Sequence, residues 1–350
     1  MIYDLNFFVV IIPALVAVVI GMITTPIYTN FFYKHKLWRK RSRTESLDNA
    51  EFKALANEKE LNTPRVGGII IWLTTLITSF IFFLFSKNSH SIIGAKINFI
   101  SLTETLAPLI IFVFGSIIGL FDDLIQIYLP RKFEGDPIFL RYLKLLSIVL
   151  ISLVVGIILV KIVGINYVYI PKVGHLVLGY MFIPFFIVIT TAVFSSSVID
   201  GIDGLAGGVL AIIYSAYALI AALKGLPDLA TLCAVVAGSI FVFLWFNIPP
   251  ARFYLGETGM IGLTMLLSTI SFLTDTVFLL PIIAFPLFIT SLSVIMQWTS
   301  KKLFGQRILK VAPLHHHFEA KGWSRYKVVM RYWLFTIFFA IIGIVLSVVM

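Results

Sequence analysis

The sequence predicts an all-α integral membrane protein, and three observations predict it. Hydrophobic residues make up 59% of the 350-residue chain and charged residues only 13%, more apolar surface than a water-soluble core can bury. Ten apolar runs recur along it, and none shows the alternation of a lipid-facing barrel strand. The basic residues, finally, gather on one side of those runs.

The runs lie at roughly 6–29, 66–86, 105–121, 143–164, 176–194, 204–223, 229–246, 257–274, 276–299 and 330–349. Each is long enough to cross ~30 Å of hydrocarbon as a helix with some help from its flanks. With both termini outside, 22 of the 27 Lys and Arg fall on the inner side; the outer side keeps only Lys87, Lys96, Lys161, Lys172 and Lys224. That asymmetry predicts a multi-pass membrane protein with both termini outward and Lys144 at the inner mouth of the fourth run. The first run has no basic residue before it and "KHKLWRKR" after it, which predicts a retained helix rather than a cleaved signal. Cys233 stands alone within the seventh run, so no internal disulfide forms. Residues 1–350 read as one membrane domain. The segment "GINYVYIPKVGHLVLG" predicts outer surface turns or a short hairpin. The net charge of +10 follows mainly from membrane orientation and suits anionic lipid and phosphorylated partners, with no signal for nucleic acid. A homodimer is compatible with the sequence, which carries no signal of oligomeric state.

With that topology, the unusual polar residues all fall at the inner ends of helices. "GLFDDLIQIY" ends the third run with Asp122 and Asp123, and "SSSVIDGIDGLAGG" joins the fifth and sixth with Asp200 and Asp203. "FNIPPARFYLGETGM" joins the seventh and eighth with Asn247, Tyr254 and Glu257, and "PLHHHFEAKGW" carries His315, His316 and His317 before the last run. Acids at membrane depth are costly unless paired, hydrated or metal-bound, so this face predicts a site. Asp122 and Asp123 project about 100° apart on a helix, which predicts separate roles. Asp203 is placed to be the N-cap of the sixth helix. Glycine-lined starts in "TPRVGG", "DGLAGG" and "GETG" would turn three helix N-termini toward one compartment, as a phosphate-bearing ligand requires. An extended histidine stretch would put His315 and His317 on one side. Carboxylates suit Mg²⁺ and imidazoles do not, which leaves the histidines to meet phosphate oxygens. A secondary transporter fits less well, because the acids lie at one face and not at mid-depth.

In order and over essentially the whole length, "KVAPLHHHFEAKGW", the aspartate pair, "DGIDGLAGG", "FNIPPA" and "GETG" resemble the polyprenyl-phosphate N-acetylhexosamine-1-phosphate transferases. The histidine stretch is similar to that of the branch handling phospho-MurNAc-pentapeptide. The resemblance implies a Mg²⁺-dependent reaction at the cytosolic face between a UDP-sugar donor and undecaprenyl phosphate in the bilayer, giving lipid I and UMP. It implies catalytic roles for Asp122, Asp123 and Asp200, and Mg²⁺ ligation by Glu257, Asp123 and Asp200. It further implies substrate contacts from Lys59, Ser197, Asp203, Asn247, Tyr254 and the three histidines, with the Tyr254 ring standing where a phenylalanine commonly stacks on uracil. Departures are visible too. Glu257 replaces the usual Asp, Gln126 a lysine and Ser197 an asparagine, while Lys59 only approximates an expected lysine. "TPRVGG" is nearer to the UDP-GlcNAc branch, which keeps a UDP-HexNAc donor open, and a weakened lipid-phosphate-binding homologue is the other alternative.

Overall fold

A computed structural model describes residues 7–38, 62–88, 97–128 and 137–349. Among the described residues twelve α-helices carry the fold: α1 (Phe7–Lys34), α2 (Gly68–Asn88), α3 (Leu106–Tyr128), α4 (Pro137–Ile158), α5 (Phe182–Phe194), α6 (Leu205–Leu223), α7 (Pro227–Asn247), α8 (Gly256–Leu273), α9 (Leu280–Ile283), α10 (Phe285–Phe304), α11 (Leu314–Ala320) and α12 (Arg325–Val349). Among the described residues nine of these, α1 to α8 and α12, are long and apolar enough to cross a membrane. The ninth predicted run is the exception. It breaks at Ala284 into the single turn α9 and the helix α10, where Pro286 stands in the first turn and cannot donate to a preceding carbonyl. Gln297, Lys301 and Lys302 lower the mean hydropathy of α10, whose 20 residues still lead from the α9 turn back toward α11.

The helices sort by what they face. Residues of α1, α4 and α12 such as Ile23, Leu150 and Phe338 are exposed, as a lipid-facing surface requires. By contrast, α8 is wrapped on all sides, and its Thr258, Thr264, Ser268 and Thr269 are fully buried. Thr264 and Ser268 hydroxyls donate back to the Met260 and Met265 carbonyls at 2.7 Å, so the polar groups cost little inside the bundle.

Small residues set how closely α3 and α8 approach, the usual device where no hydrophobic force drives helices together in lipid. A Cβ on Gly119 would collide with the Glu257 carbonyl, and one on Gly262 with the Ser116 hydroxyl. The start of α2 is equally tight, because a Cβ on Gly68 would overlap the Gly259 backbone. Backbone bonds lock that corner: Tyr254 N–H donates to Pro64 O at 2.7 Å, and Gly67 and Gly68 N–H donate to Tyr254 O and Leu255 O at 2.9 Å. The ends of α3 and the starts of α2 and α8 therefore meet at one level.

On the opposite face, between α4 and α5, the expected hairpin forms from β1 (Tyr167–Ile170) and β2 (Gly174–Val177), antiparallel with Tyr167 opposite Val177. On that same face the Glu104 carboxylate accepts the Asp228 and Leu229 N–H groups at 3.1 Å, capping α7 from outside the helix. Cys233 is a buried free thiol on α7, as expected.

Candidate active site

At the end of α3 the two aspartates do separate, as their helical angle requires. Asp123 turns inward and is 1% exposed. Its Oδ2 accepts Thr258 N–H at 2.9 Å and Thr258 Oγ1–H at 2.7 Å, while Oδ1 accepts Glu257 N–H at 3.2 Å. It is thus the N-terminal cap of α8, supplied by a different helix, and its charge lies at the positive end of that helix's dipole. Asp122 turns toward α4. Its Oδ2 accepts Lys144 Nζ at 3.0 Å and Gln126 Nε2 at 2.6 Å. Lys144 also lies 3.4 Å from Glu257 Oε1, so one ammonium joins an α3 carboxylate to an α8 carboxylate. Glu257 Oε2 is buried and has no hydrogen-bond partner among the described residues.

The other loops attach to this corner in turn. Asp200 Oδ2 accepts Gly256 N–H at 3.2 Å, which ties the α5–α6 loop to the start of α8. Gly256 lies in the left-handed region at φ +70°, and any side chain there would strike the Arg65 carbonyl and Asp123. The Asp200 N–H in turn donates to Ser197 O at 3.2 Å within a short 3₁₀ turn. The N-cap of α6 is Gly204 at φ +78° and not the expected Asp203. Glycine takes that left-handed conformation without steric cost, and its N–H donates to Asn247 Oδ1 at 2.9 Å. Asn247 Nδ2 donates to Phe253 O at 2.8 Å, so this buried amide holds the α5–α6 loop against the α7–α8 loop. Tyr254 is half-buried beside it.

The histidine stretch is a helix, α11, so His315 and His317 do not share a side as they would in an extended segment. Consecutive imidazoles therefore fan out, and each meets a different neighbour. His317 Nδ1 accepts Lys310 N–H at 3.1 Å. His316 pairs with Glu319, whose other oxygen accepts Arg325 Nε–H at 2.9 Å. His315 is fully buried, and neither of its ring nitrogens has a partner among the described residues. A Cβ at Gly201 would come within 2.5 Å of His315 Nε2 and 2.9 Å of His316 Nε2, so two imidazoles abut the loop carrying Asp200 and Asp203. Burial, with His316 next to it, holds the His315 pKa well below the usual imidazole range. The His317 pKa is lowered by burial and by Lys321 and Lys310. His315 is neutral at pH 7 and offers one donor and one acceptor.

One unbroken series of contacts thus joins Asp122, Asp123, Asp200 and Glu257 to His315 and His316, with Asn247 bracing the loops from behind. Lys59 lies outside the described residues. Sequence reasoning missed Lys144 as part of the site, along with Thr258, Glu319 and Arg325. The available signal for Lys144 was a lone lysine inside the inner edge of an apolar run, but it read as one more inner-face charge.

A helical bundle gathering acids, glycine-lined helix starts and histidines at one level is a membrane glycosyl-phosphate transferase arrangement, and residues 105–275 match the profile of Glycosyl transferase family 4. Among curated relatives, the chain is 31% identical over 298 residues to the phospho-N-acetylmuramoyl-pentapeptide-transferase of Geobacillus sp. (strain WCH70), covering 84% of this chain and 86% of that protein. The enzyme of the same name from Caldanaerobacter subterraneus subsp. tengcongensis is 33% identical over 283 residues, 80% and 82% of the two chains. That of Anoxybacillus flavithermus is 31% identical over 346 residues, 97% and 98% of the two. The chain belongs to the phospho-N-acetylmuramoyl-pentapeptide-transferase family.

Proposed function

We propose that this protein transfers phospho-MurNAc-pentapeptide from its UDP donor to undecaprenyl phosphate at the cytosolic face of the bacterial inner membrane, forming lipid I and releasing UMP. The observation that carries the reading is the junction at Gly201, where the histidine helix meets the loop of Asp200 and Asp203. In the reaction a lipid phosphate oxygen bonds to the donor's β-phosphorus, and the bond from that phosphorus to the bridging oxygen breaks, leaving the oxygen on UMP. Two anions must be aligned and the charge on their phosphoryl oxygens offset. His316, partly exposed at the Gly201 junction, would meet phosphoryl oxygens on one side, with buried His315 packed beside it. Asp122, at the rim rather than the interior, is placed to meet the acceptor phosphate on the other. Asp123, Asp200 and Asn247 fix the loops, and the Tyr254 ring offers a face for uracil.

The residues fit Mg²⁺. Asp122 and Glu257 already share a cation, and Glu257 keeps a buried oxygen without a partner among the described residues, a donor set suited to a hard ion. Among the described residues no three His, Cys, Asp or Glu side chains converge at metal-ligand spacing. Asp122 and Glu257 would therefore hold the ion together with phosphate oxygens and water, and the ion would supply charge neutralisation at the diphosphate. An apolar groove of about 730 Å³ opens beside α11, lined by Phe285, Pro286, Phe318, Trp323, Tyr332 and Phe338, and suits a polyprenyl chain.

Purified protein given undecaprenyl phosphate, Mg²⁺ and either UDP-MurNAc-pentapeptide or UDP-GlcNAc tests this directly. UMP release and a lipid product of lipid I mass are expected with the first donor only. Turnover with UDP-GlcNAc alone would move the protein to the other branch, and lipid-phosphate binding without UMP from either donor would make it a binding homologue.

A further inference from the structure

The ammonium of Lys144 occupies the place between Asp122 and Glu257 that a divalent ion would take. It reaches that place from α4, a helix whose Tyr142, Leu143, Leu146 and Leu150 are exposed, so Lys144 is the one charged group that α4 sends toward α8. We propose that Lys144 is a built-in counter-cation: it offsets part of the charge of the two carboxylates while the site is empty of metal, and exchanges with the divalent ion when the ion binds. The inference rests on the Mg²⁺ reading above.

Three observations carry it. One ammonium serves both carboxylates, at 3.0 and 3.4 Å, so a second cation between them has to displace it. Asp122 Oδ2 already accepts the neutral Gln126 amide at 2.6 Å as well as Lys144, and so has little left for a second cation. Glu257 Oε2 is buried and unpartnered among the described residues, an oxygen that the ammonium leaves unused and that a metal could take. Charge balance points the same way. Two carboxylates with one ammonium keep a net negative charge, two with one divalent ion are neutral, and holding both cations would leave an excess positive charge in a partly desolvated space. A lysine is suited to the exchange, because its charge is a point at the end of a flexible four-carbon stem. Released from the carboxylates, Lys144 is free to meet the phosphate that accompanies the ion.

The test uses Mn²⁺ as probe, with full-length protein in lipid nanodiscs and no nucleotide, and reads free Mn²⁺ by electron paramagnetic resonance. Lys144→Met is expected to tighten the apparent Mn²⁺ Kd by about tenfold or more, and Lys144→Arg to stay within about twofold of the unsubstituted protein. Equal Mn²⁺ affinity with and without Lys144, together with loss of binding in Glu257→Gln, would overturn the exchange and leave the metal site standing. No Mn²⁺ binding in any variant would overturn both. A second measurement needs no substitution: Mn²⁺ should raise the reductive methylation of Lys144 in the native sequence, and unchanged modification in the presence of bound Mn²⁺ would contradict the proposal.

Discussion

Two helix starts at opposite ends of the molecule are capped in the same way, by a carboxylate from outside the helix. At the far face Glu104 accepts two N–H groups of α7; at the site face Asp123 accepts two N–H groups and a hydroxyl of α8. The capping chemistry is shared, so capping does not make a site. The difference lies in what surrounds each cap. Around Asp123 stand Asp122, Lys144, Glu257 and the Asp200 loop, leading on to two histidines, whereas Glu104 closes a turn and touches none of these. A functional corner here is a structural cap to which a second, less buried layer of charge has been added.

Substituting that second layer should give the largest effect. Asp122→Asn removes a rim carboxylate and leaves the α8 cap intact. Turnover should fall by about 10²–10⁴-fold, the usual range for a group acting on a proton in the reaction, with thermal unfolding nearly unchanged. Wild-type UMP release from Asp122→Asn would remove Asp122 from the chemistry. Next comes the cap itself. Asp123→Ala leaves the buried Thr258 N–H and hydroxyl without a partner, at about 1–3 kcal/mol per unsatisfied group, so both unfolding temperature and turnover should fall. Glu104→Ala is the matched control: it should cost about 0.5–2 kcal/mol of stability with turnover per folded molecule unchanged. Equal loss of turnover in the two cap variants would erase the contrast between the faces.

The smallest effect concerns pH. His315 has a folded-state pKa well below its unfolded value of about 6.5, because burial disfavours its charged form. The unfolded chain therefore binds more protons as pH falls. Stability is complete above pH ~6.5 and declines below it, by no more than about 1.4 kcal/mol per pH unit from this group. His317 adds a contribution of the same sign. Unfolding temperatures measured from pH 7.5 to 5.5 should fall less steeply in His315→Gln than in the native sequence. Parallel curves would show that His315 is not buried as a neutral imidazole.

Much of this was legible in the sequence, because hydropathy and lysine and arginine distribution report on position along the membrane normal. They placed the hairpin on one face and the four acidic or histidine loops on the other. What they do not report is azimuth, the direction in which a residue points around its helix. Lys144 was counted as an inner-face charge for that reason, since its partners lie on α3 and α8. Averaging also hides breaks, and the run at 276–299 read as one span although Pro286 interrupts it. Asp203 looked like an N-cap because the glycine after it carried no signal of its left-handed backbone. The sequence left the backbone of the histidine stretch open, and only the fold shows that α11 turns a short helix against Gly201.

Sidedness tests the central claim most directly. Single cysteines at Tyr128, beyond the aspartates, at Lys321, beyond the histidines, and at Val173, on the hairpin, are all exposed positions, and Cys233 is buried. In intact spheroplasts a membrane-impermeant maleimide should label position 173 alone, and in inverted vesicles positions 128 and 321 together. Labelling of 128 and 321 from opposite sides would contradict a single site.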